Sequence, residues 1–334
     1  MKHLIIIPVL FISVIIGNAA WAQQKPEEIL KAIVKVQTVI PDDAVTAPML
    51  GTERSGSGVV IDSDGLILTI GYLILEAKTI EVVGPDDRVI DATLIGYDHE
   101  TGFGLLRVNR TLNVMPMKLG NSSGLKEGDP ALAASHHGSD TVTGVRVISR
   151  GEFVGAWEYL LDNAIFTMPS YQNYGGAALI GSDGSLLGIG SIFTRVTIAG
   201  FGTASANMFV PIDLLKPILN DLKTHGRSRR PPKPWLGVNT EESHGRLFIT
   251  RILPGSPGEK SDLQVDDLIL KVNQQPVRGQ ADFYRKFWAL GNAGVKVPLS
   301  ILRGTEIFQI SVNSIDRYQF LKPQAGSQQK KEKL

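Results

Sequence analysis

Side chains that could carry out chemistry are grouped at two places in this chain. Ser135, His136 and His137 follow one another, and a further pair, His99 and Glu100, precedes them. A hydroxyl beside an imidazole is the pairing of a nucleophile with its base, but sequence neighbours do not bring the oxygen to the correct ring nitrogen. Histidines and a carboxylate could also bind a metal ion. Adjacent histidines on a strand point to opposite faces, so both would reach one ion only from a loop.

Gly138 and Ser139 favour a loop after these histidines, so a metal site is an alternative that the sequence leaves open. Solvated or packed loop histidines are the simpler interpretation. We therefore expect neither a metal ion nor a cofactor.

Composition bounds the class of protein. A length of 334 residues allows two or three domains, and 35 glycines among many β-branched residues indicate β structure. The chain has no cysteine, which excludes disulfides and thiolate chemistry. A net charge of +1 provides no electrostatic footprint for nucleic acid, so nucleic acid is not an expected partner.

The first residues have the features of an export signal. Lys2 and His3 precede an apolar run over residues 4–16, and Ala20 and Ala22 are small residues at the positions a signal peptidase reads. The run is shorter than the about 20 residues that span a bilayer. We predict a signal peptide over residues 1–22, export to the periplasm or cell envelope, and no stable membrane span after cleavage. An uncleaved anchor is the alternative.

Two later segments of the chain have the sequence patterns of β-strands and turns. Residues 56–69 comprise two apolar strands around an Asp-Gly turn, which is the pattern of a hairpin. Residues 172–177 lie late in a β-rich region and are followed by a turn at 182–185 and an apolar run over 186–190. These patterns predict a mainly β fold.

Residues 56–69 closely resemble the G-S-G-x-x-[IV]-D-x-x-G-x-[IV]-L-T segment of the HtrA/Deg proteases. Residues 119–129 are similar to that family's crossover between barrels, and residues 211–219 to its closing helix. The resemblance spans roughly residues 27–222. It implies a trypsin-like double β-barrel domain, which we place at residues 23–222.

At the three catalytic positions the resemblance fails. The family's general-base histidine corresponds to Tyr72, its orienting aspartate to Gly102 and its nucleophilic serine to Tyr174. A phenol is no substitute for the base, since ionising it at pH 7 costs about 4 kcal/mol. Gln172 stands where the family has a glycine, which puts the oxyanion hole in doubt. We therefore expect no catalytic residue at Tyr72, Gly102 or Tyr174.

Residues 248–257 match the V-x-x-[VI]-x-x-x-S-P strand and turn of bacterial PDZ domains, and residues 263–273 match their next segment except that Asp266 replaces the usual glycine. The last part of the chain therefore resembles a bacterial PDZ domain. After a basic, proline-rich linker over residues 223–234, which we expect to be extended and solvated, a PDZ domain is predicted over 235–317. Its helix is expected at residues 281–290 and its last two strands within 297–313. Residues 318–334 are polar and are expected to be disordered.

A PDZ domain binds an extended peptide as an added strand beside a helix, and backbone N–H groups hold the terminal carboxylate. The resemblance places this site in one segment, and the helix at residues 281–290 should face the ligand. For Trp235 and Leu236, simple core packing is the alternative. The predicted peptide-binding residues are Trp235, Leu236, Gly237, Val238 and Asn239.

Three functions from different classes follow. The first is a non-catalytic scaffold, regulator or quality-control adaptor that binds C-terminal or unfolded peptides through the PDZ domain. The second is an active HtrA-like serine endopeptidase or chaperone-protease. The third is a chaperone whose barrel cleft holds unfolded segments without cutting them. The triad positions separate the second function from the others, and a homo-oligomer is left open.

Overall fold

The structure, a computed structural model, describes residues 26–136, 142–198, 200 and 202–320. The predicted signal peptide (1–22), His137 and the part of the predicted tail from 321 to 334 lie outside the described residues. No helix in the described ranges is long and apolar enough to cross a membrane.

The first barrel closes in the order β1-β2-β3-β6-β5-β4 and is antiparallel at each pairing. Every residue of Leu66–Ile70 is buried, because this strand lies between β2 and β6 and its apolar run fills both faces. The strands of this barrel are β1 (Ile33–Val39), β2 (Glu53–Val60), β3 (Leu66–Ile70), β4 (Thr79–Val83), β5 (Val89–Tyr97) and β6 (Phe103–Val108).

The second barrel repeats this plan in the order β10-β11-β12-β9-β8-β7. Its β8–β9 hairpin is long and extends beyond the barrel towards the C-terminal domain. The strands are β7 (Pro130–Ala134), β8 (Val142–Gly155), β9 (Tyr159–Met168), β10 (Ala178–Ile180), β11 (Leu186–Ile198) and β12 (Gly202–Pro211).

The C-terminal domain is a sheet in the order β13-β14-β15-β17-β18, with β16 paired to β15. Strand β13 lies at its edge, and the longest helix, α4, packs beside it. The strands are β13 (Val238–Ser243), β14 (Arg246–Ile252), β15 (Leu268–Val272), β16 (Gln275–Pro276), β17 (Lys296–Arg303) and β18 (Glu306–Asn313).

Helices are short in the described residues. Phe283, Tyr284 and Phe287 form the buried face of α4. The α-helices are α1 (Pro26–Leu30), α2 (Ala47–Leu50), α3 (Leu219–His225) and α4 (Gln280–Trp288). Single 3₁₀ turns occur at Gly71–Leu73, Ser122–Gly124, Ile212–Leu214, Glu259–Ser261 and Arg317–Gln319.

The predicted fold class, a mainly β double barrel followed by a PDZ domain, is confirmed. The linker differs from the solvated chain that its composition favours. Helix α3 continues to His225, and Arg227 pairs with Asp316 at 2.8 Å. Lys233 pairs with Glu100 at 2.9 Å and lies 4.4 Å from the ring centre of Trp288. Arg227 and Lys233 thus have partners in the C-terminal domain and in the first barrel, which composition could not reveal.

Candidate functional site

A cleft of about 410 Å³ lies between the two barrels. Strand β2 and the turn after β3 line one side, and residues 172–175 with the end of β7 line the other. Tyr72 and Tyr174 both line this cleft, so the structure brings together two of the three positions that the sequence resemblance assigns to the triad.

Tyr72 is held by its hydroxyl group. The Tyr72 Oη donates to the carbonyl oxygen of Ser191 on β11, at 3.0 Å. Burial, and then the neighbouring Tyr174, raise the pKa of the Tyr72 phenol. The phenol therefore keeps its proton at neutral pH and acts as a donor rather than as a base.

A backbone hydrogen bond joins Gly102 to Gly71, the residue before Tyr72. The Gly102 carbonyl accepts from the N–H of Gly71 at 2.7 Å, and its own N–H donates to the Asp98 carbonyl at 2.8 Å. The φ of Gly102 is +77°, a left-handed value at which a side chain is strained. A Cβ atom here would also lie 3.4 Å from the Tyr159 hydroxyl. The position has no group that could orient a base.

The loop that carries Tyr174 is fixed by its backbone. The Tyr174 carbonyl accepts from the N–H of Ala177 at 3.0 Å, and the Gly175 carbonyl accepts from the N–H of Ser57 at 2.8 Å. Gly190 passes so close that a Cβ atom would lie 2.1 Å from the Tyr174 oxygen. This loop therefore keeps a tight, glycine-dependent packing although its central residue is a tyrosine.

The backbone beside Tyr174 is open. Gln172 is exposed and is not among the residues with positive φ, so glutamine fits there without strain. The N–H groups of Gln172 and Tyr174 donate to no acceptor within the described part of the chain. Two backbone donors for a bound oxygen are thus present beside Tyr174.

Ser135 and His136 also line the cleft. The Tyr171 hydroxyl donates to Ser135 Oγ at 2.7 Å, and the His136 N–H donates to Ser57 Oγ at 3.1 Å. His136 is thus bonded through its backbone to one serine and lies beside another, and no hydrogen bond from a ring nitrogen to either hydroxyl is seen among the described residues.

His99 is elsewhere. Its ring lies between those of Tyr97 and Tyr318, at centroid distances of 4.6 and 4.2 Å, and its two ring nitrogens are buried without a hydrogen bond. Burial, with Arg317 and Arg227 nearby, lowers the pKa of His99 well below its usual value. Within the described ranges no group of three or more His, Asp or Glu side chains could hold a metal ion, and His137 lies outside those ranges.

The predicted carboxylate loop of the C-terminal domain holds a carboxylate. Glu158 Oε1 accepts from the backbone N–H of Gly237 at 2.7 Å and of Val238 at 3.1 Å, and Glu158 Oε2 accepts from Leu236 at 3.0 Å. Glu158 belongs to the turn between β8 and β9 and is only 5% exposed. Sequence reasoning missed Glu158, because nothing in the local sequence indicates a partner about eighty residues away.

The side chains of the predicted peptide-binding residues have a different role from their backbone. Leu236 is fully buried in the domain core, and Trp235 packs against Phe320 with ring centres 4.6 Å apart. The Trp235 N–H donates to the Ile315 carbonyl, and Asn239 pairs with Arg251 in the β13–β14 ladder. The core-packing alternative thus describes both side chains, while three N–H groups remain as the chemistry of the loop.

Gly237 is the residue that brings this loop close to the carboxylate. Its φ is +76°, and a Cβ atom would lie 2.2 Å from Cβ of Ser256. Only glycine fits here, so the loop geometry depends on this residue.

A trypsin-like domain with a cleft between its two barrels, joined to a PDZ domain, defines the class of HtrA-type proteins. A family model described as "Trypsin-like peptidase domain" matches residues 56–189, and one described as "PDZ domain" matches residues 228–302.

Relatives give the same result. A probable periplasmic serine endoprotease, DegP-like, from Pseudomonas putida (strain W619) is 34% identical over 265 residues, which are 74% of this chain and 53% of that protein. The serine endoprotease DegS of Haemophilus influenzae is 30% identical over 273 residues, 79% of this chain and 77% of DegS. The chain belongs to the HtrA/Deg family.

Solved structures agree on the fold. The HtrA-type protease AlgW with a decapeptide has a TM-score of 0.51 at 21% identity, covering 89% of this chain and 98% of that one. The chain spans about half the length of the DegP-like relatives that it matches. The DegP-like relatives are named as periplasmic, which confirms the predicted location in the periplasm or cell envelope; the signal peptide itself stays a prediction.

Proposed function

We propose that this chain is a non-catalytic HtrA-type protein, a pseudoprotease, that acts by binding peptide C-termini through its PDZ domain. Three consecutive N–H groups, from Leu236 to Val238, converge on one carboxylate at 2.7–3.1 Å, and this observation carries the proposal. Such a loop provides the charge-assisted hydrogen bonds that a terminal carboxylate needs. A scaffold, regulator or quality-control adaptor is the role this chemistry supports.

The barrel cleft supports the non-catalytic part of the proposal. Acyl transfer needs a nucleophile, a base and an orienting group in contact. Here the Tyr72 hydroxyl donates a hydrogen bond to a carbonyl, Gly102 has no side chain, and Tyr174 has no aliphatic hydroxyl. The barrels then serve as a rigid body that positions the PDZ domain.

An active serine endoprotease is the second candidate, favoured by the names of the relatives and by Ser57 and Ser135, which line the same cleft. This candidate requires a nucleophile outside the family position. Labelling by a fluorophosphonate probe would distinguish it, because only an activated serine reacts with that probe.

Peptide binding by the full chain tests the proposed function. Fluorescence polarisation would follow labelled decapeptides that are randomised at their last four positions, in a free-carboxylate form and in a matched amidated form. We expect the free-carboxylate pool to bind and the amidated pool to bind at least about tenfold more weakly, equivalent to about 1.4 kcal/mol. Equal binding of the two pools would contradict the proposal. The proposal would also be contradicted if no form of the protein bound either pool.

A further inference from the structure

The turn of the long β8–β9 hairpin lies in the groove where a PDZ ligand binds. We call residues 155–158 the hairpin tip. The N–H of Thr240, on edge strand β13, donates to the carbonyl of Ala156 at 3.0 Å. The Tyr284 hydroxyl, on α4, lies 2.9 Å from the carbonyl of Gly155. The tip therefore contacts both walls of the groove, the strand edge and the helix.

The contacts of the hairpin tip follow the order of a bound peptide end. An added strand bonds through its backbone to the edge strand, and its terminal carboxylate enters the N–H loop. Here the Ala156 carbonyl takes the first role and the Glu158 carboxylate, two residues later, takes the second. The side chain of Glu158 thus stands in for a chain terminus.

The backbone at Glu158 has a conformation that serves this contact. Its φ is +57°, a left-handed value that is strained for a non-glycine residue. The Glu158 N–H donates to the Tyr284 hydroxyl at 3.2 Å. A strained residue held by hydrogen bonds from another domain is typical of a functional contact.

The rim of the contact is weaker than its centre. Arg285 of α4 lies 2.7 Å from Glu152 and also pairs with Asp162, both on the hairpin. These side chains are between 40% and 78% exposed, so each pair contributes little. Most of the docking therefore depends on the buried contacts of Glu158 and the tip backbone.

We propose that the hairpin tip is a built-in ligand that closes the PDZ groove, and that a C-terminal peptide binds by displacing Glu158 from the Leu236–Val238 loop. This inference rests on the proposed function, because it concerns the regulation of the same site. A single loop cannot hold two carboxylates at once, so occupancy by Glu158 and occupancy by a peptide exclude each other. The apparent affinity for peptide is then reduced by the fraction of molecules in which the groove is open.

The test compares the full chain with two variants that remove one charge from the same hairpin. Glu158→Gln keeps the size of the side chain but replaces one accepting oxygen by an NH2 group, which cannot accept from the loop N–H groups, so its bonds to the loop are weaker. Glu152→Gln removes a rim charge and is the matched control. In polarisation titrations with the free-carboxylate decapeptide pool, we expect Glu158→Gln to bind about tenfold more tightly than the natural sequence or better, and Glu152→Gln to change affinity by less than about twofold.

The outcomes separate the two proposals. Equal affinity of Glu158→Gln and the natural sequence would overturn the built-in ligand and leave the proposed peptide binding intact. Peptide binding by none of the proteins would overturn the proposed function, and the built-in ligand with it.

A second measurement does not depend on the variant. Hydrogen exchange of the natural sequence, with and without saturating free-carboxylate peptides, reports the tip and strand β13 separately. We expect peptide to speed exchange in the segment around residues 155–159 while β13 stays protected, because the incoming strand replaces the tip. Unchanged exchange of the tip at saturation would overturn displacement.

Discussion

The hydroxyl of Tyr72 donates a 3.0 Å hydrogen bond to the carbonyl of Ser191, and this bond crosses the cleft from the first barrel to the second. The position that the sequence resemblance assigns to the catalytic base thus forms a structural hydrogen bond. The high pKa of the buried phenol suits that role, since the proton stays on the donor over the physiological range.

Removal of this hydroxyl should therefore lower stability. We expect Tyr72→Phe to decrease the free energy of unfolding by about 1 kcal/mol, the usual contribution of one hydrogen bond. Tyr174→Phe is the matched control, because among the described residues its hydroxyl has no hydrogen bond. Urea titrations of both variants measure the difference. A loss that is equal for the two tyrosines would contradict an interbarrel role for Tyr72.

Proteolysis should be absent. Loss of the serine or of the histidine from a Ser-His-Asp triad lowers kcat by about a million-fold, and this chain lacks both at the family positions. The purified protein should leave casein intact and should not react with a fluorophosphonate probe. Labelling that disappears in Ser135→Ala or in Ser57→Ala would show that the cleft uses another nucleophile.

The triad cannot be restored without strain. Gly102 has a φ of +77°, so an aspartate there adopts a left-handed conformation and lies against the Tyr159 hydroxyl. We expect Gly102→Ala alone to cost about 1–2 kcal/mol of stability. Gly124→Ala is the control, because φ is not positive at Gly124 and a Cβ atom there meets no atom within 4 Å. Thermal unfolding of the two variants should separate them clearly. Similar values would mean that position 102 tolerates a side chain.

Sequence patterns predicted the fold well because barrel strands and the PDZ helix depend on local periodicity and turn residues. Residues 56–69 form the expected hairpin, β2 and β3, around the Asp-Gly turn. The helix expected at 281–290 is α4 at Gln280–Trp288. The residues that specify each of these elements lie close together in the chain, so the pattern can be recognised in a single sequence.

The contacts on which the proposed function rests are long-range and have no such local signal. Glu158 reaches Gly237, 79 positions away, and Lys233 pairs with Glu100 from another domain. From sequence alone, an isolated glutamate in a turn is predicted to be solvated, and a basic linker is predicted to be extended. Only the packing of the domains buries the Glu158 carboxylate in the loop and holds the basic linker against its neighbours through ion pairs.

The pH dependence of stability should report the docking of Glu158. Burial raises the pKa of Glu158 to about 7 from a usual value of 4.5, although the N–H groups of the loop and the charge of Arg317 act in the opposite direction. Below pH 4.5 the carboxyl group is protonated in both the docked and the unfolded states. Between pH 4.5 and 7 the unfolded state loses its proton first, so stability falls as pH rises through this range.

The size of this effect follows from the shift. At 1.36 kcal/mol for each pH unit, the natural sequence should lose up to about 3 kcal/mol relative to Glu158→Gln between pH 4.5 and pH 7, and no more above pH 7. Urea unfolding of both proteins at pH 4.5, 6 and 7.5 measures the difference. Comparison with the amide variant removes the contributions of other titrating groups, and the Tyr284 phenol stays protonated throughout.

A peptide carboxylate remains ionised over this pH range, so peptide should compete better with Glu158 at the upper end. A difference between the two proteins that is constant with pH would show that Glu158 is ionised in the docked state, held by the three N–H donors alone.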